Sequence, residues 1–480
     1  MTTDFTSIHH QTPSNINIYL SPALPSPEVM AMLQAKYSRD PGSVIRHLED
    51  VTTPEKAQKF METYLVKYGH RSIGRCGTLT LFVEGISLLA ASWLVHTPRF
   101  NGQECSTRYL DFSKQGFYEP VIPEGYRENL DGEAIQSMEN YRLSCVNFRN
   151  DLMDFYHRGL AETISTLVEK FPFDCEATPK VSEAQYHRSV RAKAFDVMRG
   201  FLPVSVKTNV AITMTLTDFQ DHILFLQSSG LKEVNEIGDG ILKVCLDAYP
   251  SSFVTPTWEE TRMNGMWLDA ATSQTRHDWV REKHAEVDVD VVVHDKNLFQ
   301  LFRGVSRLAN GTKLQLPREF ERAATVIVKG HLDFGSWRDL HRHTSLDHDL
   351  VELNTGLFEP YYIDSLPDNL KEEAAGLLKR LTGLRPDVYT RKEDFARTSF
   401  QYLIPLGFKI PVIFKGGIRS IHYLIKLRSQ DTVHPTLRAF IMKIAQAEGL
   451  KEIDFGIRET VEDELNLRRG NQTILKRGEE

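Results

Sequence analysis

Cysteine is scarce in this chain. There are five in 480 residues, scattered at Cys76, Cys105, Cys145, Cys175 and Cys245, with none after position 245. No CxxC pair occurs, so a zinc ribbon is excluded, and an odd, scattered set does not make a secreted disulfide framework. Long apolar runs are missing as well. The longest, residues 86–95, falls far short of the roughly 20 residues that a membrane-spanning helix needs. The first thirty residues lack a cationic start and a continuous apolar core, so no secretory signal is expected. Positive charge is not in excess either: 57 Lys and Arg stand against 64 Asp and Glu, a net charge of −7. That excludes a wholesale neutraliser of nucleic acid or of an anionic membrane surface, while leaving room for a local basic pocket. The expectation is a cytoplasmic protein that engages neither membrane nor nucleic acid.

What is present is the balance of an ordinary globular protein, 41% apolar and 25% charged. The length suggests two or three domains and can bury a sizeable core. Thr53-Pro54 reads as a helix start, with Ala57, Phe60, Met61, Tyr64 and Leu65 at helical spacing and Gly69 as the stop. Residues 78–84 read as a strand and 86–95 as a buried helix. The same order returns later: residues 325–330 match 80–85 in pattern, and 334–340 follow as the next segment. Leu202-Pro203 precedes a strand at 209–214 and a helix at 219–226. Ile404-Pro405 likewise precedes a strand at 411–414 and a helix at 418–427. A repeat of this period means two domains in tandem rather than a solenoid. The boundaries expected are 1–253, a connector at 254–300, and 301–480.

The sharpest local signal is Asn101-Gly-Gln-Glu-Cys-Ser-Thr-Arg-Tyr109. If extended, it places Glu104, Ser106 and Arg108 on one side. A hydroxyl and a guanidinium together beside Gly102 suit a phosphate, whereas the bland alternative is a surface loop with an ordinary ion pair. Arg419 and Arg428, nine residues apart on a helix, are expected to reach different neighbours. His341, His343 and His348 with Asp347 and Asp349 match no standard zinc spacing. Cys105 is expected to be a buried small residue rather than a nucleophile.

Tyr68-Gly-His-Arg-Ser-Ile73, Phe82-Val-Glu-Gly-Ile-Ser87 and Gln103-Glu-Cys-Ser-Thr-Arg-Tyr109, in that order, resemble the signature of flavin-dependent thymidylate synthases. Arg199-Gly-Phe-Leu-Pro203, Ile404-Pro-Leu-Gly407 and the run from Ile418-Arg419 to Leu427-Arg428 extend the resemblance into both halves. It implies an α+β fold of two tandem thymidylate synthase-complementing-like domains, each a β-sheet packed with helices. It also implies methylation of dUMP to dTMP, with FAD carrying reducing equivalents from NADPH and methylenetetrahydrofolate as the carbon donor. Glu104, Ser106, Thr107, Arg108, Arg199 and Arg428 would then bind the nucleotide. His70, Ser72, His341, Arg342, His343 and Arg419 would lie at the flavin. No catalytic residue and no metal ligand is implied.

The departures from the family pattern are complementary. The Arg-His-Arg motif falls at His96-Thr97-Pro98 in the first half, its preceding glutamine is Trp93, and an acidic residue is replaced by Arg75. The arginines of the first half's last helix are expected at Asp218 and Gln227. The second half lacks a Glu-x-Ser-x-Arg-Tyr segment and has Gly417 in place of an asparagine. It keeps Arg419 and Arg428, and places His341-Arg342-His343 where Arg-His-Arg belongs, within one residue. Because the family's sites are assembled from several subunits of a tetramer, each copy would be free to lose what the other supplies. The expectation is a composite site joining Glu104, Ser106, Arg108 and Arg199 to Arg428, in a homodimer that mimics the four-domain tetramer. A related pyrimidine-nucleotide enzyme, or a binding homologue without catalysis, is the alternative.

Overall fold

The computed structural model describes residues 8–23, 25–50, 53–122, 131–176, 180–280, 287–310, 315–350, 353, 356–386, 391–457 and 465–471. The chain forms two compact units, one of residues 1–105, 116–120 and 205–276, the other of residues 106–115, 121–204 and 277–480.

The first unit is built on a five-stranded antiparallel sheet in the order β1-β2-β3-β5-β4, where β1 is His9–Gln11, β2 Asn17–Leu20, β3 Thr78–Ser87, β4 Asn101–Glu104 and β5 Lys207–Thr215. Alternation decides the inner face. Leu79, Leu81 and Val83 of β3 and Val210, Ile212 and Met214 of β5 are buried, while Phe82 and Glu84 point out. Helix Lys232–Ala248 covers the sheet with Val234, Ile237, Ile241 and Val244, a stripe at helical spacing. Each such side chain removed from water contributes about 1.5–3 kcal/mol before the entropy of ordering is set against it. β3 runs to Ser87, past the expected end at 84, because a bulge at Gly85 (φ +77°) absorbs one residue and keeps Ile86 and Ser87 paired with β5. The helix that follows is Leu88–Leu94. Pro54–Met61 is helical as expected and continues as a π-helical turn to Lys67, ended by Gly69 at φ +67°.

The second unit carries a four-stranded antiparallel sheet in the order β6-β7-β9-β8, where β6 is Asp288–Val293, β7 Ala324–Asp333, β8 Asp347–His348 and β9 Lys409–Gly417. Apart from β1, this is the strand order of the first sheet. β3 and β7 each feed a short helix, Leu88–Leu94 and Phe334–His341, and β5 and β9 feed Leu216–Gln227 and Ile418–Arg428. The repeat read from the sequence is therefore a repeat of topology. Strand pairing corrects its alignment: Lys207 pairs with Ser87 as Lys409 pairs with Asp333, so Gly330 corresponds to Val83 and Gly85 has no partner in the second half. The stretch expected as connector contains helix Trp258–Val280, β6 and the start of helix Lys296–Ser306.

The two helical inserts explain why the units do not follow the sequence order. Both come from the first half, yet Gly132–Lys170 packs with Asp368–Gly383 and Arg391–Gln401, and Glu183–Met198 with Pro360–Asp364 and Leu467–Asn471, all from the second. Ile122, Met138 and Phe395 form one buried cluster there, and the Tyr141 hydroxyl donates to the Leu384 carbonyl at 3.0 Å. The Leu-Pro and Ile-Pro segments also meet. The Val204 amide donates to the Ile404 carbonyl (3.0 Å) and the Leu406 amide to the Leu202 carbonyl (2.9 Å), around a Pro203–Pro405 bridge. Under the same correspondence, 204 matches 406 and 202 matches 404, so the contact is self-complementary, as a two-fold axis requires.

Candidate functional site: an arginine cluster around Asp339

Helix Glu183–Met198 runs into the tight turn Arg199–Phe201, which carries Arg199 inside the second unit, 1% exposed. Its Nη2 donates to Ser336 Oγ (2.8 Å), its Nε to the Tyr362 hydroxyl (3.3 Å) and its Nη1 to Asp339 Oδ2 (3.4 Å). Burial opposes its charge, and Tyr362, Asp339, Asp333 and Asp196 more than offset that, so its proton is held even more firmly than usual. Tyr362 reaches this place by lying flat on Gly200, where a Cβ would meet the ring at 2.4 Å. The Tyr362 hydroxyl donates on to Asp333 Oδ1 (2.7 Å). Asp333, fully buried, caps helix Phe334–His341 by accepting from the Ser336 amide (2.9 Å) and also accepts from Thr436 Oγ1 (2.6 Å).

Arg108 approaches from a turn. β4 ends at Glu104, in the first unit, and residues 107–109 form a turn whose Ser106 Oγ accepts from the Arg108 amide (3.3 Å). The alternation expected for Glu104, Ser106 and Arg108 thus stops with the strand, because the serine hydroxyl satisfies the backbone locally. Thr107 is buried and Cys105 half-buried. Arg108 grips Asp196 in fork geometry, Nε to Oδ1 at 2.8 Å and Nη2 to Oδ2 at 2.9 Å, and Nη2 also donates to the Thr432 carbonyl (3.1 Å). Arg469, from the turn Leu467–Asn471, binds the same carboxylate and lies over the Tyr109 ring at 5.3 Å. Burial works against the charge of Asp196, but Arg108 and Arg469 overcome it and hold the carboxyl far below the usual carboxylate range.

Arg428 ends helix Ile418–Arg428 half-buried. Its Nη2 donates to the Asp339 carbonyl (2.8 Å) and its Nε to His343 Nε2 (2.8 Å). An acceptor histidine is neutral, in keeping with burial, followed by the charge of Arg428, lowering its pKa to about 3. Burial, then the charges of Arg342 and Arg108, depress Arg428 itself, while Asp339 works the other way. The Asp339 carboxyl is penalised by burial yet lies below the usual range, because Arg199, Arg108, Arg428 and Arg338 all act on it. Of the three arginines, Arg199 bonds the Asp339 carboxylate, Arg428 bonds the main-chain carbonyl of Asp339, and Arg108, held by Asp196, acts on that carboxylate only through its charge. All belong to the second unit.

The residues expected at a flavin fall in both units. His70 and Ser72 lie exposed in the first unit, His70 against the Tyr64 and Tyr68 rings. In the second unit His341 is buried and stacked on Trp337 with centroids 4.3 Å apart, and Arg342 is half-buried. Arg419 and Arg428 do reach different neighbours. Arg419 donates to the Leu316 carbonyl (2.5 Å), Gln315 Oε1 (2.8 Å) and Glu321 Oε1 (3.4 Å). His341 thus stacks on Trp337 and Arg419 is engaged by three acceptors. An open pocket of about 260 Å³, lined by Thr325, Ser345, Asp347, Lys415, Gly416 and Gly417, includes none of the arginine cluster. His348 Nε2 contacts the His343 carbonyl (3.2 Å), and among the described residues no group of three His, Cys, Asp or Glu is arranged to hold a metal ion. Among those residues no helix is long and apolar enough to cross a membrane.

Read through the strand pairing, three matched positions differ between the halves. Arg199 corresponds to Gln401 and Arg428 to Leu226, while Arg419 corresponds to Thr217. The positions expected at Asp218 and Gln227 thus slip by one. Asp218 instead pairs with Arg99, and Gln227 donates to Asp239 (2.7 Å). Asp196, Asp333, Asp339, Tyr362, His434 and Arg469 were not anticipated from sequence. Only Asp333, an Asp three residues before a serine at a helix start, carries a local signal.

Residues 20–251, nearly half the chain, match the family model described as thymidylate synthase complementing protein. A UPF0159 protein of Chlamydia muridarum is 24% identical, over 82% of this chain and 78% of its own. A UPF0159 protein of Thermoplasma acidophilum is 22% identical over 86% and 91%, and one of Chlamydia pneumoniae 22% identical over 88% and 85%. Residues 20–251 are thus similar to the thymidylate synthase complementing protein family, and a second region of the same topology follows the first.

Proposed function

We propose that the arginine cluster binds a pyrimidine nucleoside monophosphate, dUMP foremost, and that the chain is a thymidylate synthase-type enzyme that methylates dUMP to dTMP. The observation that supports this reading is that Arg199 and Arg428 both bond Asp339, the one through its carboxylate and the other through its main-chain carbonyl, while the charge of Arg108 acts on the same carboxylate. Three cations drawn from both halves, two of them fully or nearly desolvated, are an arrangement that a bound anion stabilises. Arg428 and Asp339 are the members that solvent reaches, so the ligand enters on their side. Similarity to the family points to a uridine nucleotide as that anion. The positions matched to Arg199 and Arg428, Gln401 and Leu226, are uncharged, which accords with a homodimer in place of a four-domain tetramer.

The test is calorimetric titration of the purified chain with dUMP. A desolvated charge contact contributes about 1.5–3 kcal/mol, so Arg428→Ala is expected to weaken dUMP at least about tenfold. Unchanged affinity would remove Arg428 from the site and the composite reading with it.

FAD, NADPH and methylenetetrahydrofolate are the partners the family's chemistry calls for. The engagement of His341 and Arg419 favours a second reading, a related pyrimidine-nucleotide enzyme or a nucleotide-binding homologue without catalysis. Absorbance separates them: a purified chain with a flavin spectrum, native or after adding FAD, supports the methylating enzyme. A colourless chain that binds dUMP supports the second.

A further inference from the structure

The cluster contains a carboxylate where an incoming anion would sit. Asp339 lies on helix Phe334–His341, six residues after the cap Asp333. Its side chain is 25% exposed, against 1% for Arg199, 0% for Asp333 and 4% for Asp196. Of the three acids in the network it is the one that solvent reaches most. Asp196 is bound on both oxygens by Arg108 and Arg469, and Asp333 on both by Tyr362, Ser336 and Thr436. Those two carboxylates belong to the frame. Asp339 has a single looser side-chain bond, from Arg199 Nη1 at 3.4 Å, while Arg428 reaches only its main-chain carbonyl. Asp339 thus stands beside Arg199 as a partly exposed, weakly tied carboxylate, and its charge acts on Arg108 and Arg428 as well.

We infer that Asp339 sets the ligand charge this site accepts, restraining its grip on phosphate monoesters by standing against their negative charge. The inference rests on the nucleotide reading and deepens it. Asp339 is a specificity-determining residue, and its counterpart in the first half is Trp93, which carries no charge.

The experiment titrates the full chain, Asp339→Asn and Asp339→Gln with dUMP, inorganic phosphate and deoxyuridine. Both variants keep an acceptor oxygen for Arg199, and circular dichroism verifies folding. If either folded variant binds dUMP and phosphate at least about tenfold more tightly, with deoxyuridine unchanged, the inference stands. If the native chain binds dUMP but the variants bind phosphate-bearing ligands no more tightly, Asp339 only neutralises the frame and the inference falls while the nucleotide reading survives. Should the native chain and the variants all fail to bind dUMP and phosphate, the nucleotide reading fails and takes the inference with it. Loss of folding in both variants would make Asp339 part of the frame, which also overturns it.

Discussion

At the scale of single residues, this cluster shows how context turns a ligand hook into a structural cation. Arg108 was legible in the sequence, since a guanidinium two residues from a serine reads as a phosphate site. Its partner Asp196 was not, because 88 residues separate them and only folding brings them to 2.8 Å. A buried pair broken on one side leaves an uncompensated charge, so Asp196→Ala is expected to cost about 3–5 kcal/mol in urea unfolding. A loss below about 1 kcal/mol would show that Arg108 and Arg469 find other partners. Gly200 offers a second check. Its missing Cβ makes room for the Tyr362 ring at 2.4 Å, so Gly200→Ala should cost about 1–3 kcal/mol through overpacking and loosen the Tyr362–Arg199 bond. An unaltered melting temperature would contradict that packing.

Among elements, each strand-to-helix corner of the repeat solves one problem, the orphan amides of a helix start, with a different residue. Ser87 accepts from the Ala90 amide (2.9 Å), Thr215 from the Asp218 amide (3.2 Å) and Asp333 from the Ser336 amide (2.9 Å). Gly417 has no side chain to offer, and Glu321 accepts from the Ser420 amide instead (3.3 Å). Ser87 carries a further load. Its hydroxyl and amide both donate to the fully buried Glu233, at 2.6 and 2.7 Å. Ser87→Ala therefore removes a cap worth about 1 kcal/mol and one donor to a buried carboxylate, for an expected loss of about 2–3 kcal/mol. A loss of only a few tenths in thermal unfolding would show that water or another donor replaces the hydroxyl. The strands were readable from alternation, but their ends were not. The bulge at Gly85 carries β3 on to Ser87, and nothing in a period of two announces one extra residue.

The whole molecule buries histidines in neutral form in both units. His222 and His422 are lowered by burial to about 4 and His343 to about 3, and His434, wedged between Thr436 Oγ1 and the Asp196 carbonyl, lies well below 6.5. Their folded values lie below the unfolded one, so the unfolded chain binds more protons at acid pH and stability falls as pH drops from about 6.5 toward 3. Near pH 5 each shift of this size corresponds to up to about 2 kcal/mol. Urea midpoints should therefore decrease between pH 7.5 and 5, in a range where carboxylates are still ionised. A flat profile across that window would mean these side chains gain water on protonation.

Local chemistry written in the sequence determined the repeated strand-helix order and the alternating core faces, and it singled out Arg108, Arg199 and Arg428 as candidate cations, because propensity, periodicity and motif spacing act over a few residues. It did not determine that the inserts of both halves would pack in one unit, or that Asp196, Asp339 and Arg469 would meet those arginines. Such meetings depend on which apolar helix faces bury each other, and a carboxylate chooses its cation only after that burial has removed the competing water.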